Sequence, residues 1–559
     1  MPDSLLVPAP LALGSHGAVV APHHAATAAG LDILRRGGHA VDAAIATNAV
    51  LAVVVPNGSG IGGDAFWLIW DEAAQQQLAL NGSGRSSRRA DAADLRARGL
   101  RTMPVRGGLP ITVPGAVRSW GDAHRRFGRM SRDEILGAAI ELARDGFPAW
   151  PEFIAAVERV APEVEAALGP SAAFFGVYRP HGRAWRPSER VRLPALASTL
   201  ERLARDGFDA LYEGDLAAAQ GRALAAVGSS IDARDLADHR STWTDPIATT
   251  YRGVRVTSHG PNSSGLVALE MLNVLERFEP PPSSAFGPHG VAETRWVHLG
   301  IEAAKLAMAD RDAYLADPDR HPVPVERLLS ADHAAALAAR IDPRRAARPA
   351  ASTNPPGGGT VYLAAVDGDG NAVSLIESNW RGFGSGVVDP VTGIHYHNRG
   401  NYFSLEPGHP NELEPAKRPL HTLLPGMLFR DDPASGRARP WVIAGSMGGD
   451  AQPQVHTQMV SALVDGGVDV AVAVGAPRWF VEPAAMFDPP MDVRIEPRYA
   501  AHVLEELERL GHPVHQVGAF DGAVGHAHAI ELVDGGPAAP DGSLAAATDP
   551  RSAGLPAAW

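Results

Sequence analysis

The chain has 559 residues, of which 45% are hydrophobic and 20% charged, and its formal net charge at pH 7 is −13. This composition is that of a globular protein, and the acidic balance argues against a nucleic-acid partner. There is no cysteine, which excludes disulfides, thiolate metal sites and a cysteine nucleophile.

The N-terminal sequence MPDSLLVPAP lacks the basic region of a signal peptide, and the longest apolar run, AVLAVVVP, is too short to span a bilayer. We therefore expect a soluble, cytoplasmic protein with no membrane partner.

The first half of the chain is predicted to be mainly helical. HHAATAAGLDILRRGG has helical spacing and stops at Gly37-Gly38, a usual place for a residue with positive φ. AVDAAIATNAVLAVVV is apolar on nearly every side, so it is a buried helix or a buried strand pair, and its alanines favour helix. Two further helices are predicted to end at the glycines of ELARDGFP and RLARDGFD.

A glycine-rich stretch, GSGIGGD (Gly58–Asp64), matches the G-x-G-x-x-G pattern of dinucleotide-binding proteins. That fingerprint needs a helix after the glycines, whereas AFWLIWD follows, which is aromatic and typical of a strand. We interpret the stretch as a tight loop that brings backbone N–H groups near a site.

The second half is predicted to be mainly β-structure. TVYLAAV and AVSLIES flank DGDGN, a strong hairpin turn, and RPWVIAG and AHAIELV are further strands. The Pro- and Gly-rich segment Thr353–Gly359 joins the two halves.

Thr360 is the first residue of the strand that follows this loose segment. A threonine hydroxyl becomes a useful nucleophile if its own α-amino group acts as the base, which requires that the bond between Gly359 and Thr360 be cut. The alternative is an interdomain linker followed by a β-branched residue that favours strands, and this window leaves both open.

Other catalytic motifs are weak or absent. The histidines of HPVHQ and GHAHA lack the H-E-x-x-H spacing, and no G-x-S-x-G nucleophile elbow is present. We expect neither a metal nor a cofactor.

Seven ordered segments resemble the γ-glutamyltranspeptidase family of N-terminal-nucleophile hydrolases, and together they span nearly the whole chain. They are GGHAVDAAIATNAVLAVVVPNGSGIGGDAFWLIWD, ITVPGAVRSW, YRGVRVTSHGPNSSG, GGGTVYLAAVDGDGNAVSL, AKRPLHTLLPGMLF, AGSMGGDAQPQVHTQ and ATDPRSAG. The resemblance implies a four-layer αββα sandwich. It also implies a precursor that cuts itself into a large subunit (1–359) and a small one (360–559), which stay associated; a higher homo-oligomer is left open.

The resemblance also implies roles for particular residues. Thr360 is the nucleophile with its α-amine as base, and Ser378, eighteen residues later, is the hydroxyl that hydrogen-bonds it. Gly448 and Gly449 match the glycines whose N–H groups form the oxyanion hole. The family's carboxylate-binding arginine falls on Arg85, although a surface arginine is the alternative for this residue.

The chain departs from the family where true transpeptidases hold the substrate's α-amino group. Trp380 replaces an Asn, and in HNRGNYFS (His397–Ser404) Arg399 replaces a Gln and Tyr402 an Asp. The residues predicted to bind substrate are Arg85, Asn398, Arg399, Tyr402 and the pair His421-Thr422, which replaces two serines.

The groups that would hold an ammonium are missing and a cation has been added, so a pocket with Arg85 and Arg399 would favour a dianionic substrate or an acyl group without a free amine. The pattern resembles the branch with putative glutathione hydrolases, oxamate amidohydrolase and acylases. The favoured function is a self-cleaving Thr amidohydrolase that transfers the acyl group of a small carboxylate amide to water or an amine. A true γ-glutamyl transferase acting on glutathione-like compounds and an uncleaved, non-catalytic binder are the alternatives.

Overall fold

The structure is a computed structural model that describes residues 9–347, 359–431, 436–482 and 493–559. Of the predicted linker, only Gly359 lies within these ranges. The strands, in chain order, are β1 (Leu11–Gly14), β2 (Ala18–Val20), β3 (Asp64–Asp71), β4 (Gln76–Gly82), β5 (Phe147–Pro148), β6 (Arg190–Val191), β7 (Thr242–Thr244), β8 (Ile247–Tyr251), β9 (Val254–Ser258), β10 (Phe286–Gly287), β11 (Gly290–Val291), β12 (Thr360–Val366), β13 (Ala372–Ser378), β14 (Gly426–Asp431), β15 (Ala438–Ser446), β16 (Trp479–Val481), β17 (Val493–Ile495), β18 (Val514–Gln516), β19 (Ala527–Val533), β20 (Ser543–Thr548) and β21 (Ala557–Ala558).

The α-helices, in chain order, are α1 (His24–Arg35), α2 (Ala40–Val54), α3 (Ala92–Ala97), α4 (Ala116–Phe127), α5 (Arg132–Asp145), α6 (Pro151–Leu168), α7 (Ala173–Tyr178), α8 (Pro194–Asp206), α9 (Gly214–Ala226), α10 (Ala233–Asp238), α11 (Gly265–Leu275), α12 (Thr294–Tyr314), α13 (Val325–Leu328), α14 (Ala331–Ala338), α15 (Gln452–Val464), α16 (Val470–Gly475) and α17 (Ala501–Leu510).

Two seven-stranded antiparallel sheets form the centre of the molecule. One has the order β21-β2-β12-β13-β3-β4-β7 and the other β1-β20-β19-β15-β14-β9-β8. Helices including α2, α5 and α8 cover the outer face of the first sheet, and helices including α11, α15 and α16 cover that of the second. The predicted αββα sandwich is therefore confirmed.

Alternation along β12 decides which layer each side chain enters. Val361 and Leu363 pack against the helices, whereas Tyr362 and Ala364 belong to the apolar layer between the sheets. Because successive side chains of a strand point to opposite faces, Thr360 lies on the same face as Tyr362. The first residue of the strand thus faces the space between the two sheets.

The helix predictions hold. The alanine-rich segment is the helix α2, every residue of which is buried. The glycines predicted to end helices have positive φ, with values of 97° at both Gly146 and Gly207.

The division into a helical half and a β-rich half is too simple, because both sheets mix strands from before and after Gly359. In the first sheet, β12 pairs with β2 on one side and with β13 on the other, and β13 pairs with β3. Hydrogen bonding across the sheet therefore joins the two parts of the chain into one body.

Candidate active site

Thr360 and Ser378 form a cross-strand pair at the ends of β12 and β13. The Thr360 hydroxyl donates to Ser378 Oγ at 3.0 Å, and both residues are buried. The tight hairpin fixes how the residues of β12 and β13 pair. Thr360 and Ser378 are eighteen residues apart because two seven-residue strands and the turn between them separate the two paired ends.

Ser378 Oγ is the centre of the hydrogen-bond network. Besides the Thr360 hydroxyl, it faces the N–H of Trp380 at 2.7 Å and Arg399 Nη2 at 3.2 Å, and it donates to the carbonyl oxygen of Gly359 at 2.6 Å. Trp380 has a φ of 75°, a conformation uncommon for residues other than glycine, and this turn directs its N–H at the serine. Three donors therefore compete for the two lone pairs of one hydroxyl oxygen.

Arg399 places a buried cation beside this network. Its Nη1 donates to Thr422 Oγ1 at 3.1 Å, and the guanidinium carbon lies 4.6 Å from the centre of the Trp380 ring. Burial lowers the pKa of Arg399 to about 10, which leaves the side chain charged at neutral pH. In the part of the chain that the structure describes, Arg399 pairs with no carboxylate and its buried Nε has no hydrogen-bond partner.

Tyr402 connects this network to the glycine loop after β15. Its hydroxyl donates to Asp450 Oδ1 at 2.9 Å, and Arg311 holds the same carboxylate oxygen at 2.5 Å. Asp450 directly follows Gly448 and Gly449, whose N–H groups donate no hydrogen bond within the described ranges. The position that holds an Asp in true transpeptidases is thus a tyrosine tied to this loop.

His421 directly precedes Thr422, the residue that accepts the hydrogen bond from Arg399. It donates through Nε2 to Asp64 at 2.9 Å, and the other oxygen of Asp64 accepts from the N–H groups of Gly84 and Gly115. Burial alone would raise the pKa of Asp64, but His397, His421 and these N–H donors hold it well below its usual range. The buried carboxylate anchors His421 and so fixes the segment that carries Thr422.

A cleft of about 560 Å³ opens at Thr360 and is also lined by Gly58, Arg381 and Met447. A Cβ added at Gly58 would lie 3.2 Å from the carbonyl oxygen of Thr360, a tight contact, so glycine favours this close approach of the two backbones. The predicted tight loop is confirmed at this point, and β3 rather than a helix follows it.

The other predicted binding residues have different surroundings. Arg85 pairs with Asp319 at 3.1 Å and is about one quarter exposed, and neither Arg85 nor the buried Arg399 lines the cleft at Thr360. Asn398 accepts from the Arg381 N–H and donates to the carbonyl of Val105 at 2.7 Å. The contacts therefore bring Thr360, Ser378, Arg399 and Thr422 together, and they leave Arg85 in a separate cluster.

Glu377 is a buried carboxyl group next to Ser378, on the opposite face of β13. It accepts from Asn48 Nδ2 at 2.8 Å and from the Gly60 N–H at 2.9 Å, yet burial outweighs these donors and raises its pKa to about 8.

Glu377 should make the stability of the protein pH-dependent. Unfolded Glu377 ionises near its ordinary pKa of 4.5 and the folded group only near 8, so its contribution is complete below pH 4.5 and is lost as the pH rises through 8. We expect the free energy of unfolding to fall by a few kcal/mol between pH 5 and about pH 9, and Glu377→Gln to flatten this dependence. Urea denaturation at several pH values measures it, and parallel profiles for the two proteins would contradict the assignment.

Comparison with known proteins agrees with this geometry. The family model for gamma-glutamyltranspeptidase matches residues 26–559. The chain belongs to the gamma-glutamyltranspeptidase family. The recognition by seven sequence segments is confirmed.

Relatives within this family carry different activities in their names. The chain is 37% identical to the glutathione hydrolase-like YwrD proenzyme of Bacillus subtilis, covering 97% of this chain and 98% of that protein. It is 36% identical to the oxamate amidohydrolase proenzyme of Klebsiella pneumoniae, covering 98% and 99%. The crystal structure of cephalosporin acylase from Bacillus halodurans superposes with a TM-score of 0.87 at 36% identity, covering 98% of this chain and 97% of that one. The protein is therefore similar to amidohydrolases and acylases of the family.

No α-helix in the described ranges is both long and apolar enough to cross a membrane. The cytoplasmic location stays a prediction.

Sequence reasoning missed the two buried aspartates of the site, Asp64 and Asp450. Both directly follow a glycine pair, in GIGGD and in GSMGGD. This shared pattern was the available signal. Asp64 accepts backbone N–H groups from neighbouring loops, whereas Asp450 accepts from the side chains of Arg311 and Tyr402.

Proposed function

We propose that the protein is a self-cleaving threonine amidohydrolase whose substrate has a small acyl group with a carboxylate and no α-amino group. The observation that carries this proposal is the position of Arg399. It is a buried cation that has no carboxylate partner in the described ranges, and it lies within hydrogen-bonding distance of Ser378 Oγ. A buried charge is costly unless it is paired, so a substrate carboxylate would supply the missing partner.

The geometry around Gly359 supports self-cleavage. The Ser378 hydroxyl donates to the Gly359 carbonyl oxygen, the atom that would become negative if Thr360 Oγ1 attacked that carbonyl carbon. The bond between Gly359 and Thr360 would then break to give an ester, with the hydroxyl proton passing to the departing nitrogen. Water would hydrolyse the ester, leaving a carboxylate on Gly359 and a free amine on Thr360.

The same atoms would then serve substrate hydrolysis. The Thr360 amine takes the hydroxyl proton as Oγ1 attacks the amide carbonyl, and the N–H groups of Gly448 and Gly449 are the proposed donors to the oxyanion. The proton next passes to the leaving amine, and water releases the acyl group as an acid. Cleavage would produce subunits 1–359 and 360–559, held together by the pairing of β12 and β13 with β2 and β3.

Arg399 also limits the length of the acyl group. Its Nη2 is 3.2 Å from Ser378 Oγ, which is 3.0 Å from Thr360 Oγ1. A carboxylate bound to Arg399 therefore lies only a few bonds from the carbonyl under attack, which suits oxamate or a glutaryl amide. An α-ammonium group at this place would face the guanidinium and be repelled.

The test is a pair of chromogenic amides, glutaryl p-nitroanilide and γ-glutamyl p-nitroanilide, which differ only in the α-amino group. We expect a higher kcat/KM for the glutaryl compound, and turnover of oxamate to release ammonia. Faster hydrolysis of the γ-glutamyl compound, increased further by glycylglycine, would overturn the proposal in favour of a γ-glutamyl transferase.

A further inference from the structure

A second cluster of ionisable side chains lies in the outer helical layer, where α11, α12 and α14 meet. Glu270 of α11, Asp310 of α12 and His333 of α14 bring ligand atoms within 4.8 Å of one another. His333 Nε2 is 2.7 Å from Asp310 Oδ2 and 3.5 Å from Glu270 Oε1. Three rigid helices thus direct two carboxylates and one imidazole at a common point.

The charges in this cluster are not balanced by protein groups. Within the described ranges, neither carboxylate forms an ion pair with a lysine or arginine. Two carboxylates and one imidazole thus meet where, in the part of the chain that the structure describes, no lysine or arginine pairs with either carboxylate.

One ligand atom in the cluster also lacks a partner. Glu270 is 1% exposed, and its Oε1, which lies 3.5 Å from His333 Nε2, has no hydrogen-bond partner among the described residues. Such buried polar atoms are rare, because an unsatisfied acceptor loses its hydration without compensation. Asp310 and His333 are partly exposed, which provides an entry path and room for water ligands.

We propose that Glu270, Asp310 and His333 bind a divalent transition-metal ion, Zn²⁺ or Mn²⁺. A metal at about 2.0–2.1 Å from its ligands separates them by roughly 3.3 Å in tetrahedral geometry. The 3.5 Å between His333 Nε2 and Glu270 Oε1 is close to this value, whereas the 2.7 Å between His333 Nε2 and Asp310 Oδ2 is a hydrogen bond that the metal would replace. Carboxylates and imidazole are ligands that both ions accept. The sequence carried no signal for this site, because its three ligands come from three separate helices.

A second cluster, His298, Glu302 and His512, has similar residue types but different chemistry. There the Lys305 ammonium lies 2.6 Å from Glu302 Oε1 and already neutralises the carboxylate. We therefore do not propose this second cluster as a metal site.

The test uses the full-length protein after treatment with EDTA, titrated separately with Zn²⁺ and with Mn²⁺. Equilibrium dialysis should find one ion bound per chain, and thermal unfolding should show a Tm raised by a few degrees. Glu270→Gln and Asp310→Asn should each weaken binding at least about tenfold. Asp332→Asn is the matched control, since it removes an exposed carboxylate from the same helix as His333.

Measurements on the metal-free variants distinguish loss of metal binding from loss of folding. Without metal, Glu270→Gln should have a Tm equal to or above that of the original protein, because it removes a buried carboxylate that faces another. Loss of the metal-dependent shift in a variant that remains folded therefore supports the site. The absence of any shift in the original protein, or an equal shift in Glu270→Gln, would overturn the proposal and assign the cluster to a proton shared between two carboxyl groups.

Discussion

Thr360→Ala is expected to yield one uncut chain without measurable amidase activity. The variant lacks both the proposed attacking oxygen for cleavage at Gly359 and the nucleophile for substrate, so kcat should fall by at least about 10⁴-fold. The original protein should show two bands on a denaturing gel, and intact-mass analysis should place the new N-terminus at Thr360.

Thr360→Ser is the matched control for this prediction. It retains the hydroxyl and the α-amine, and it keeps the hydrogen bond to Ser378 Oγ that the threonine makes at 3.0 Å. We expect cleavage and activity to persist at reduced rates. Full activity in a chain that mass analysis shows to be intact would refute the N-terminal-nucleophile mechanism.

Arg399→Met is expected to abolish the preference for carboxylate-bearing acyl groups. Removing one partner of a buried, hydrogen-bonded charge pair costs about 2–4 kcal/mol, or roughly 30- to 1000-fold in kcat/KM. The loss should be seen with glutaryl p-nitroanilide and should be much smaller with an uncharged acyl anilide such as butyryl p-nitroanilide.

Stability provides an independent readout for the same variant. Because Arg399 is a buried cation without a carboxylate partner in the described ranges, its replacement by an apolar side chain of similar length should leave Tm unchanged or raise it. A loss of activity with retained stability is the signature of a residue kept for substrate binding. A large fall in Tm would instead assign Arg399 a structural role.

Arg85→Met is the control that separates the two predicted arginines. Arg85 pairs with Asp319 and is about one quarter exposed, so its removal should change kcat/KM by less than about threefold, as for most exposed ion pairs. If Arg85→Met lost activity as strongly as Arg399→Met, the carboxylate-binding role that the family resemblance implies for Arg85 would be restored.

Local patterns were sufficient for much of the fold. The alanine-rich segment could only be a buried helix or buried strands, and glycines at Gly146 and Gly207 ended helices because they accept positive φ. The hairpin that begins at Thr360 was likewise readable from its turn residues and its alternation. These features depend on neighbours within a few residues, which the sequence displays directly.

The partition of the strands between two sheets could not be read in this way. β12 lies between β2 and β13, and β13 pairs with β3, so the pairing joins segments separated by about 300 residues. A nearly continuous apolar run indicates that both faces of a strand are buried, but it does not identify the strands that pair with it. The sequence therefore suggested a helical half and a β-rich half, although both sheets contain strands from each half.

By itself, the sequence determined the family, the hairpin and the candidate nucleophile. The hairpin and the nucleophile rest on residues close together in the chain, and the family rests on seven short segments that each keep a recognisable local pattern. The tertiary structure alone decided what surrounds that nucleophile. It placed Arg399 against Ser378, tied Tyr402 to Asp450, and left Arg85 with Asp319. The physical reason is that charge pairing and burial depend on which distant loops meet, and these determine which of the two predicted arginines pairs with a carboxylate of the described chain.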